Sequence, residues 1–472
     1  MLRQFVKLFL WVGLVAVVLA RFHVLLVRFF DPDEFAHLHW AWLISQGKLP
    51  YRDFFFYVTP LYQWFLWPLF KLPSSETVLL LARLWQFGLY SIILFLLYRI
   101  TLHVTRHVTV ALLTILLFIT FPMTFDKTID IRPDMLMTVL YVAAVERILA
   151  PTRLTKYRLV TIGALLGASF LTLSKIIYAL PGALLLLWLL HGKSGKKLIW
   201  TILGFAIPIG LFIFYILVNG LLPLAWEAFA HTQFVVNQGK EAFSLLATLS
   251  PWPLVYVGAG GVSFPWLVNI GIWIAALFGL IILWKQNRPF AIFSGLFVVS
   301  AILFLALFPV PYVQYFIPLS VVASILAATA IQHLASSLNS SVYILTSLIL
   351  LISFSIQYRE RIVPSANNEE QLQVVRDVLK ISKPTDTFYD MVGSYVFRPD
   401  GYFICCHPYA EFVDKLRQPI PTLPQSLLSN HTQFLIMDRT GLLFWKPKKE
   451  DLDFLRANYV PSKYPKIYTK NQ

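Results

Sequence analysis

The stretch HVLLVRFFDPDEFAHLHW, His23 to Trp40, changes character at its middle. Up to Phe30 it completes an apolar run long enough to be a membrane span, and then Asp31, Asp33, Glu34, His37 and His39 arrive together. Charge at a membrane exit has an ordinary local use, and the spacing fits it. Asp31 suits a helix N-cap, Pro32 the first helical position, and Glu34 stands three residues after the cap, as a capping box requires. Asp33 is left over. At the second helical position it gains only a modest interaction with the helix dipole, and His37 lies four residues on, over the same face. A carboxylate there, on a helix lying along the membrane interface, can serve as general base toward a hydroxyl or amine.

Of the 472 residues, 58% are hydrophobic and 13% charged, and the mean hydropathy is +0.68. These values exclude a soluble protein and imply an all-α polytopic membrane fold. Apolar runs predict about eleven spans, near 6–29, 77–98, 107–122, 134–150, 158–173, 175–190, 198–218, 264–284, 289–309, 312–333 and 341–357. The opening MLRQFVKLFLWVGLVAVVLA has the form of a signal peptide, but apolar character continues beyond it, so it reads as a retained first helix.

The formal charge of +15 is taken as orienting the chain, and a nucleic-acid partner is excluded. With the N-terminus in the cytoplasm, Arg99, Arg106, Arg147, Arg153, Lys156, Arg158, Lys193, Lys196, Lys197, Lys285 and Arg288 all fall in inner loops. Of the acidic residues before 358, only Glu146 then faces inward. Asp31, Asp33, Glu34, Asp53, Glu76, Asp126, Asp130, Asp134, Glu227 and Glu241 face outward. Acidic residues contribute little to orientation, so their one-sided placement points to an outer cavity of negative charge. The two cysteines, Cys405 and Cys406, are adjacent. That rules out a disulfide framework, because neighbours hardly reach disulfide geometry without strain.

Residues 1–358 therefore read as a membrane domain whose first outer loop, 30–76, carries interfacial helices. Residues 359–472 read as a small soluble α/β domain outside the membrane, with EEQLQVVRDVLKI as helix, FLIMD as strand and KKEDLDFLRANY as a last helix. The sequence has no Gly-rich phosphate loop, zinc spacing or G-x-S-x-G element, and GAGG at Gly258 to Gly261 lacks the flanking strand and helix of a nucleotide loop.

Within the first outer loop, AHLHWAWLISQGKLPYRDFFFYVTPLYQWFLWPLFKL is too apolar to be solvated and too interrupted to span. It predicts two interfacial helices, near 32–46 and 60–70, with aromatics forming an interfacial belt. A second acidic cluster, TFDKTIDIRPDML, stands at the outer end of the third span. Asp126, Asp130 and Asp134 are spaced by four, and Arg132-Pro133-Asp134 repeats the design of a proline opening a helix with aspartate just behind it. Dipole complementation and an Arg132 to Asp134 pair explain it locally, yet two acidic helix starts on one membrane face suggest a shared site. Lys175, in TLSKIIY between two apolar runs, is either a snorkelling interfacial lysine or a cation for a phosphate.

Taken in order, Asp33-Glu34 opening an interfacial helix, GKLPYRDF, TPLYQW, the RPD element, Lys175 and PYVQYFIPL at 311–319 resemble the GT-C superfamily of polytopic glycosyltransferases. The resembling branch holds the protein O-mannosyltransferases and the lipid A aminoarabinose transferases. The resemblance implies an inverting enzyme that moves a sugar from a polyprenyl-phosphate carrier to a lipid, glycan or protein acceptor at the outer face of a bacterial inner membrane. It implies Asp33 as base, and Glu34 or Asp134 as the residue that orients acceptor or sugar. Arg52, Lys127, Arg132 and Lys175 are the candidate phosphate ligands, with His37 and Tyr57 as further substrate contacts. Where the branch often carries Lys-Pro-Pro-Leu, this chain has Val58-Thr59-Pro60-Leu61, so the usual lysine is absent.

No cofactor is implied. A divalent cation between Asp33 and Asp134 is compatible but not required, since no set of histidines and carboxylates has ligand spacing. The outer loop from Asn219 to Phe264, with Trp226, Glu227, His231, Gln233 and Asn237, is either an acceptor contact or an ordinary interfacial loop. The rival class is a transporter or lipid flippase; charges gathered on one side of spans nearly free of acidic residues argue against it.

Overall fold

The computed structural model describes the chain apart from residues 1, 193, 233–234, 236–262, 307–311, 391–392, 406–412, 414–415, 418, 438–447 and 472. Lys193, Gln233, Asn237, Glu241, the GAGG stretch, Pro311 and Cys406 thus lie outside the described residues.

All eleven apolar segments contain a helix. In chain order the helices are α1 (Leu2–Val27), α2 (Pro32–Ser45), α3 (Leu61–Leu66), α4 (Thr77–Thr105), α5 (Val108–Ile119), α6 (Pro133–Leu149) and α7 (Lys156–Thr172). They continue with α8 (Leu180–His191), α9 (Gly195–Val218), α10 (Leu222–Trp226), α11 (Phe264–Gln286), α12 (Arg288–Ala306), α13 (Ile317–Ser337) and α14 (Ser341–Arg361). Among the described residues, eight segments are long and apolar enough to cross a membrane, and the chain is a multi-pass membrane protein. The three shorter ones, α5, α6 and α7, have 12, 17 and 17 residues. Helices α5 and α6 are buried along most of their length, so their neighbours, rather than lipid, surround them.

The bundle closes around α13, whose surface is mostly buried, whereas α9 is mostly exposed. Glycine sets two of the closest approaches. A Cβ on Gly279 of α11 would stand 1.8 Å from the Leu326 carbonyl oxygen of α13, and one on Gly204 of α9 would stand 2.2 Å from the Val160 carbonyl oxygen of α7. In lipid, where apolar faces gain little from meeting one another, such close backbone packing holds helices together. Gly279→Val is expected to destabilise the protein by roughly 1–3 kcal/mol, read as a lower melting temperature in detergent. Gly88→Ala, whose added methyl meets nothing within 4 Å, is expected to be neutral or mildly stabilising.

After α14 the chain returns to the exit of α1. Phe29 N donates to Ala366 O at 2.8 Å, and Asn368 N donates to Val27 O at 2.9 Å. Beyond lie α15 (Glu369–Ile381), β1 (Phe388–Asp390), α16 (Leu423–Ser429), β2 (Phe434–Ile436), α17 (Lys449–Asn458), β3 (Tyr459–Pro461) and β4 (Ile467–Lys470). The four strands form one sheet in the order β1-β2-β4-β3, with β1 parallel to β2 and β4 antiparallel to both of its neighbours. The three segments read as helix, strand and helix are α15, β2 and α17.

Cys405 is disulfide-bonded, and two cysteines in 472 residues make no disulfide framework.

Candidate active site

The capping box read from DPDEF forms: the Asp31 carboxylate accepts from Asp33 N at 3.0 Å, and Glu34 Oε1 accepts from Asp31 N at 2.9 Å. Glu34 does more than cap. It is fully buried, and it also accepts from Arg83 Nε and Nη2 of α4 at 3.1 and 2.8 Å and from Ile131 N at 3.1 Å. Arg83 in turn donates to the carbonyls of Leu25, Arg28 and Phe29 at 2.8, 2.6 and 2.9 Å, and its guanidinium lies 3.7 Å over the Phe30 ring. The pair thus joins the end of α1, the start of α2, α4 and the segment before α6.

Asp33 points elsewhere. Arg132, the N-cap residue of α6, reaches across to form an ion pair with Asp33 and lies 3.9 Å from Asp31, while its Nε is 3.4 Å from Asp134. Asp134 is paired on its other oxygen with Lys175, from the 3-10 turn Ser174–Ala179 that leads into α8. The Lys175 ammonium also sits 3.9 Å from the centre of the Tyr315 ring. The two acidic helix starts are therefore one site, a row of alternating charge: Asp33, Arg132, Asp134, Lys175. Their side chains are 23%, 10%, 1% and 14% exposed, so Asp33 is the carboxylate most open to a reactant.

Beside this row lies a second, more structural network. Lys127 pairs with Asp31 at 2.6 Å and Asp130 at 3.0 Å, Arg28 pairs with Asp130 and with Asp126 at 3.4 Å, and Arg361 of α14 holds Asp126 at 2.8 Å. Burial alone would raise these carboxyls. For Asp126 the nearby Arg361 and Arg28 outweigh burial, and for Asp31 Lys127 and Arg132 do, so both stay below the usual carboxylate range.

His37 stands against the row. Its Nδ1 accepts from Gln63 Nε2 at 3.0 Å, and its ring packs edge-on to Trp40 and Tyr62. Burial, helped by Arg132, pushes its pKa from 6.5 down to about 4. A group with a depressed pKa of this kind is neutral when folded, so between pH 6.5 and 4 the unfolded chain binds the extra proton and stability falls as pH falls. The full loss below pH 4 is roughly 3 kcal/mol, and His37→Gln is expected to flatten that part of the melting-temperature curve.

Two other candidates sit differently. Arg52 is half exposed and pairs with its neighbour Asp53 at 2.8 Å, outside the row. Tyr57 packs on Trp40 and Phe55, and it is near enough to Tyr315 to interact electrostatically. In the outer loop, Glu227 accepts from Arg417 N at 2.7 Å, while Trp226 is exposed. The residues that sequence reasoning did not single out are Arg28, Arg83 and Arg361. Their signal was a basic residue inside or at the end of an apolar run, where a charge has to find a partner.

No family model matches the sequence, and no curated protein matches it. Solved structures do. ArnT from Cupriavidus metallidurans bound to undecaprenyl phosphate superposes with a TM-score of 0.67 at 14% identity, covering 97% of both chains. The archaeal oligosaccharyltransferase AglB from Archaeoglobus fulgidus, in complex with an inhibitory peptide and a dolichol-phosphate, gives 0.53 at 13% identity, covering 99% of this chain and 74% of that one. At such identities the likeness is one of fold, and the fold is the GT-C architecture.

Proposed function

We propose that this protein is an inverting glycosyltransferase that takes a sugar from a polyprenyl-phosphate carrier and passes it to a lipid, glycan or protein acceptor. The observation that carries the proposal is the row Asp33, Arg132, Asp134, Lys175, in which a partly open carboxylate lies beside two cations at the membrane exit of the chain. Two proteins of the same fold have been solved with undecaprenyl phosphate and dolichol-phosphate, both polyprenyl phosphates. The proposed setting is a bacterial inner membrane, with the N-terminus cytoplasmic and the sheet outside.

The row suggests how carrier binding prepares the base. A phosphodiester entering beside Arg132 and Lys175 competes with Asp33 and Asp134 for these cations, so Asp33 is released from its ion pair as the substrate arrives. The acceptor oxygen or nitrogen then attacks the anomeric carbon from the face opposite the phosphate. Its proton passes to Asp33, the bond from carbon to phosphate oxygen breaks, and the electron pair leaves on the phosphate. Arg132 and Lys175 stabilise that charge in a site partly shielded from water, where ionic hydrogen bonds are strongest. Asp134 holds both cations in register. Glu34, locked on Arg83, has a structural part, and His37 supplies a neutral wall. Lys127 is engaged by Asp31 and Asp130, and Arg52 by Asp53, so phosphate binding is assigned to Arg132 and Lys175. No metal ion or cofactor is needed for these steps.

Lys175→Gln is expected to weaken carrier binding roughly tenfold to a hundredfold, the worth of one hydrogen bond to a charged group, as measured by competition with labelled undecaprenyl phosphate. The reading is tested by incubating the purified protein with a panel of undecaprenyl-phosphate sugars and candidate acceptors. A glycosylated product of inverted anomeric configuration is expected. A product of retained configuration contradicts the single displacement.

A further inference from the structure

The contact between His37 and Gln63 joins the two interfacial helices of the first outer loop beside the charged row. Building on the transferase reading, we infer that Gln63 is a positioning residue: its amide fixes the proton of His37 on Nε2, so that a neutral N–H is held ready for an oxygen of the transferred sugar. Gln63 lies in α3 and is fully buried, and His37 lies one turn after Asp33 in α2 with 5% of its surface exposed. Gln63 Nε2 stands 3.0 Å from His37 Nδ1. A ring nitrogen that accepts from an amide carries no proton, and a neutral imidazole has a single N–H. The proton is therefore on Nε2.

Two observations show that this N–H is kept for a ligand. Among the described residues Nε2 has no hydrogen-bond partner, although the ring is packed edge-on against Trp40 and Tyr62. Nor is it one of the unpartnered nitrogens that packing seals off. The second observation is the charge around the ring, where Asp33, Asp134 and Asp31 stand against one cation, Arg132. An N–H facing the row is favoured there over a lone pair. Turning the Gln63 amide round, with Oε1 toward the ring, would move the proton to Nδ1 and set the Nε2 lone pair against those carboxylates.

A neutral donor is what the chemistry asks for at this place. As the bond between the anomeric carbon and the phosphate oxygen breaks, positive charge builds on the sugar, and an imidazolium beside it would oppose that charge. A neutral N–H holds a sugar oxygen without this penalty. Burial, helped by Arg132, keeps the ring uncharged by pushing its pKa down to about 4. Arg132 and Lys175 serve the phosphate, so the pair of Gln63 and His37 orients the sugar on the other side of the bond that breaks. Gln63 acts only through His37, and His37 is the group that touches substrate.

The test uses the full chain in detergent with isotope-labelled histidine, the His37 signals being identified by their loss in His37→Gln. At neutral pH the nitrogen shifts of wild type are expected to show a protonated Nε2 and a bare Nδ1. Gln63→Glu, whose carboxylate accepts, is expected to place a proton on Nδ1, so that the ring either gives up its Nε2 proton or becomes a cation. Transfer from undecaprenyl-phosphate sugars is expected to fall roughly tenfold in Gln63→Glu and in His37→Leu, the worth of one hydrogen bond. Affinity of His37→Leu for undecaprenyl phosphate without a sugar is expected to stay unchanged. His37→Gln, whose amide N–H reaches the place of Nε2–H, is expected to transfer faster than His37→Asn, whose amide falls at Nδ1. A wild-type proton on Nδ1 overturns the inference, as do equal rates in His37→Gln and His37→Asn, undiminished transfer in Gln63→Glu, or an equal loss of affinity for the bare carrier in His37→Leu. Each of these leaves the transferase reading standing, whereas a wild type that transfers sugar from none of the carriers removes both. Should Gln63→Glu fail to fold, the wild-type tautomer and the His37 series decide the question.

Discussion

Asp33→Asn is expected to lower the rate of sugar transfer by about 10²–10⁴-fold, the range over which a positioned general base accelerates a reaction. The amide keeps the shape of the carboxylate and loses its basicity. Folding is expected to survive. Asp33 is 23% exposed and its ion pair with Arg132 is partly solvated, so the loss is worth at most about 1 kcal/mol. Arg132 also keeps Asp134 at 3.4 Å and Asp31 at 3.9 Å. Carrier affinity is expected to stay the same or to rise, because a neutral residue 33 no longer competes with phosphate for Arg132. A variant that melts like wild type, holds undecaprenyl phosphate and transfers sugar at the wild-type rate removes Asp33 from the chemistry.

The adjacent carboxylate gives the opposite result. Arg83→Leu is expected to destabilise the protein by about 3 kcal/mol, because it takes from the fully buried Glu34 the cation that hydrogen-bonds both of its oxygens. Hydrogen bonds from Ile131 N and Asp31 N remain, and Arg28 stays at 3.8 Å, beyond hydrogen-bond reach and shared with Asp126 and Asp130. Arg83→Leu with Glu34→Leu is expected to recover part of the loss, since replacing a buried pair as a whole is far less costly than breaking it. Melting temperatures of the two single variants and the double variant in detergent measure this. Equal losses in Arg83→Leu and in the double variant would mean that Arg83 acts through its backbone carbonyl contacts rather than through Glu34. Two neighbouring acids, Asp33 and Glu34, thus answer mutation by different measurements, one by rate and the other by stability.

That difference marks the limit of what DPDEF tells a reader. The capping box, the proline-led helix start and the amphipathic pattern of Glu369 to Ile381 are local, so spacing alone yields α2 and α15. Which face of α2 meets α4 is set by Arg83, nearly fifty residues away, and a single arginine hardly lowers the hydropathy of a long apolar run. The union of the two acidic helix starts is non-local in the same way: the repeat of proline followed by aspartate hints at it, but the Arg132 bridge to Asp33 depends on how α1, α4 and α6 pack. Arg52 is a cation of the right type in the right loop, and spacing alone does not tell that it pairs with Asp53 beside it and stands outside the row.

The most direct test places label on the sugar of undecaprenyl-phosphate sugars in proteoliposomes, offers candidate acceptors, and follows the label with wild type and with Asp33→Asn. Label that leaves the carrier and appears covalently on an acceptor with wild type, and stays on the carrier with the variant, is the predicted result. Label that crosses the bilayer still attached to its carrier, at the same rate in both proteins, would contradict the account and make the protein a transporter.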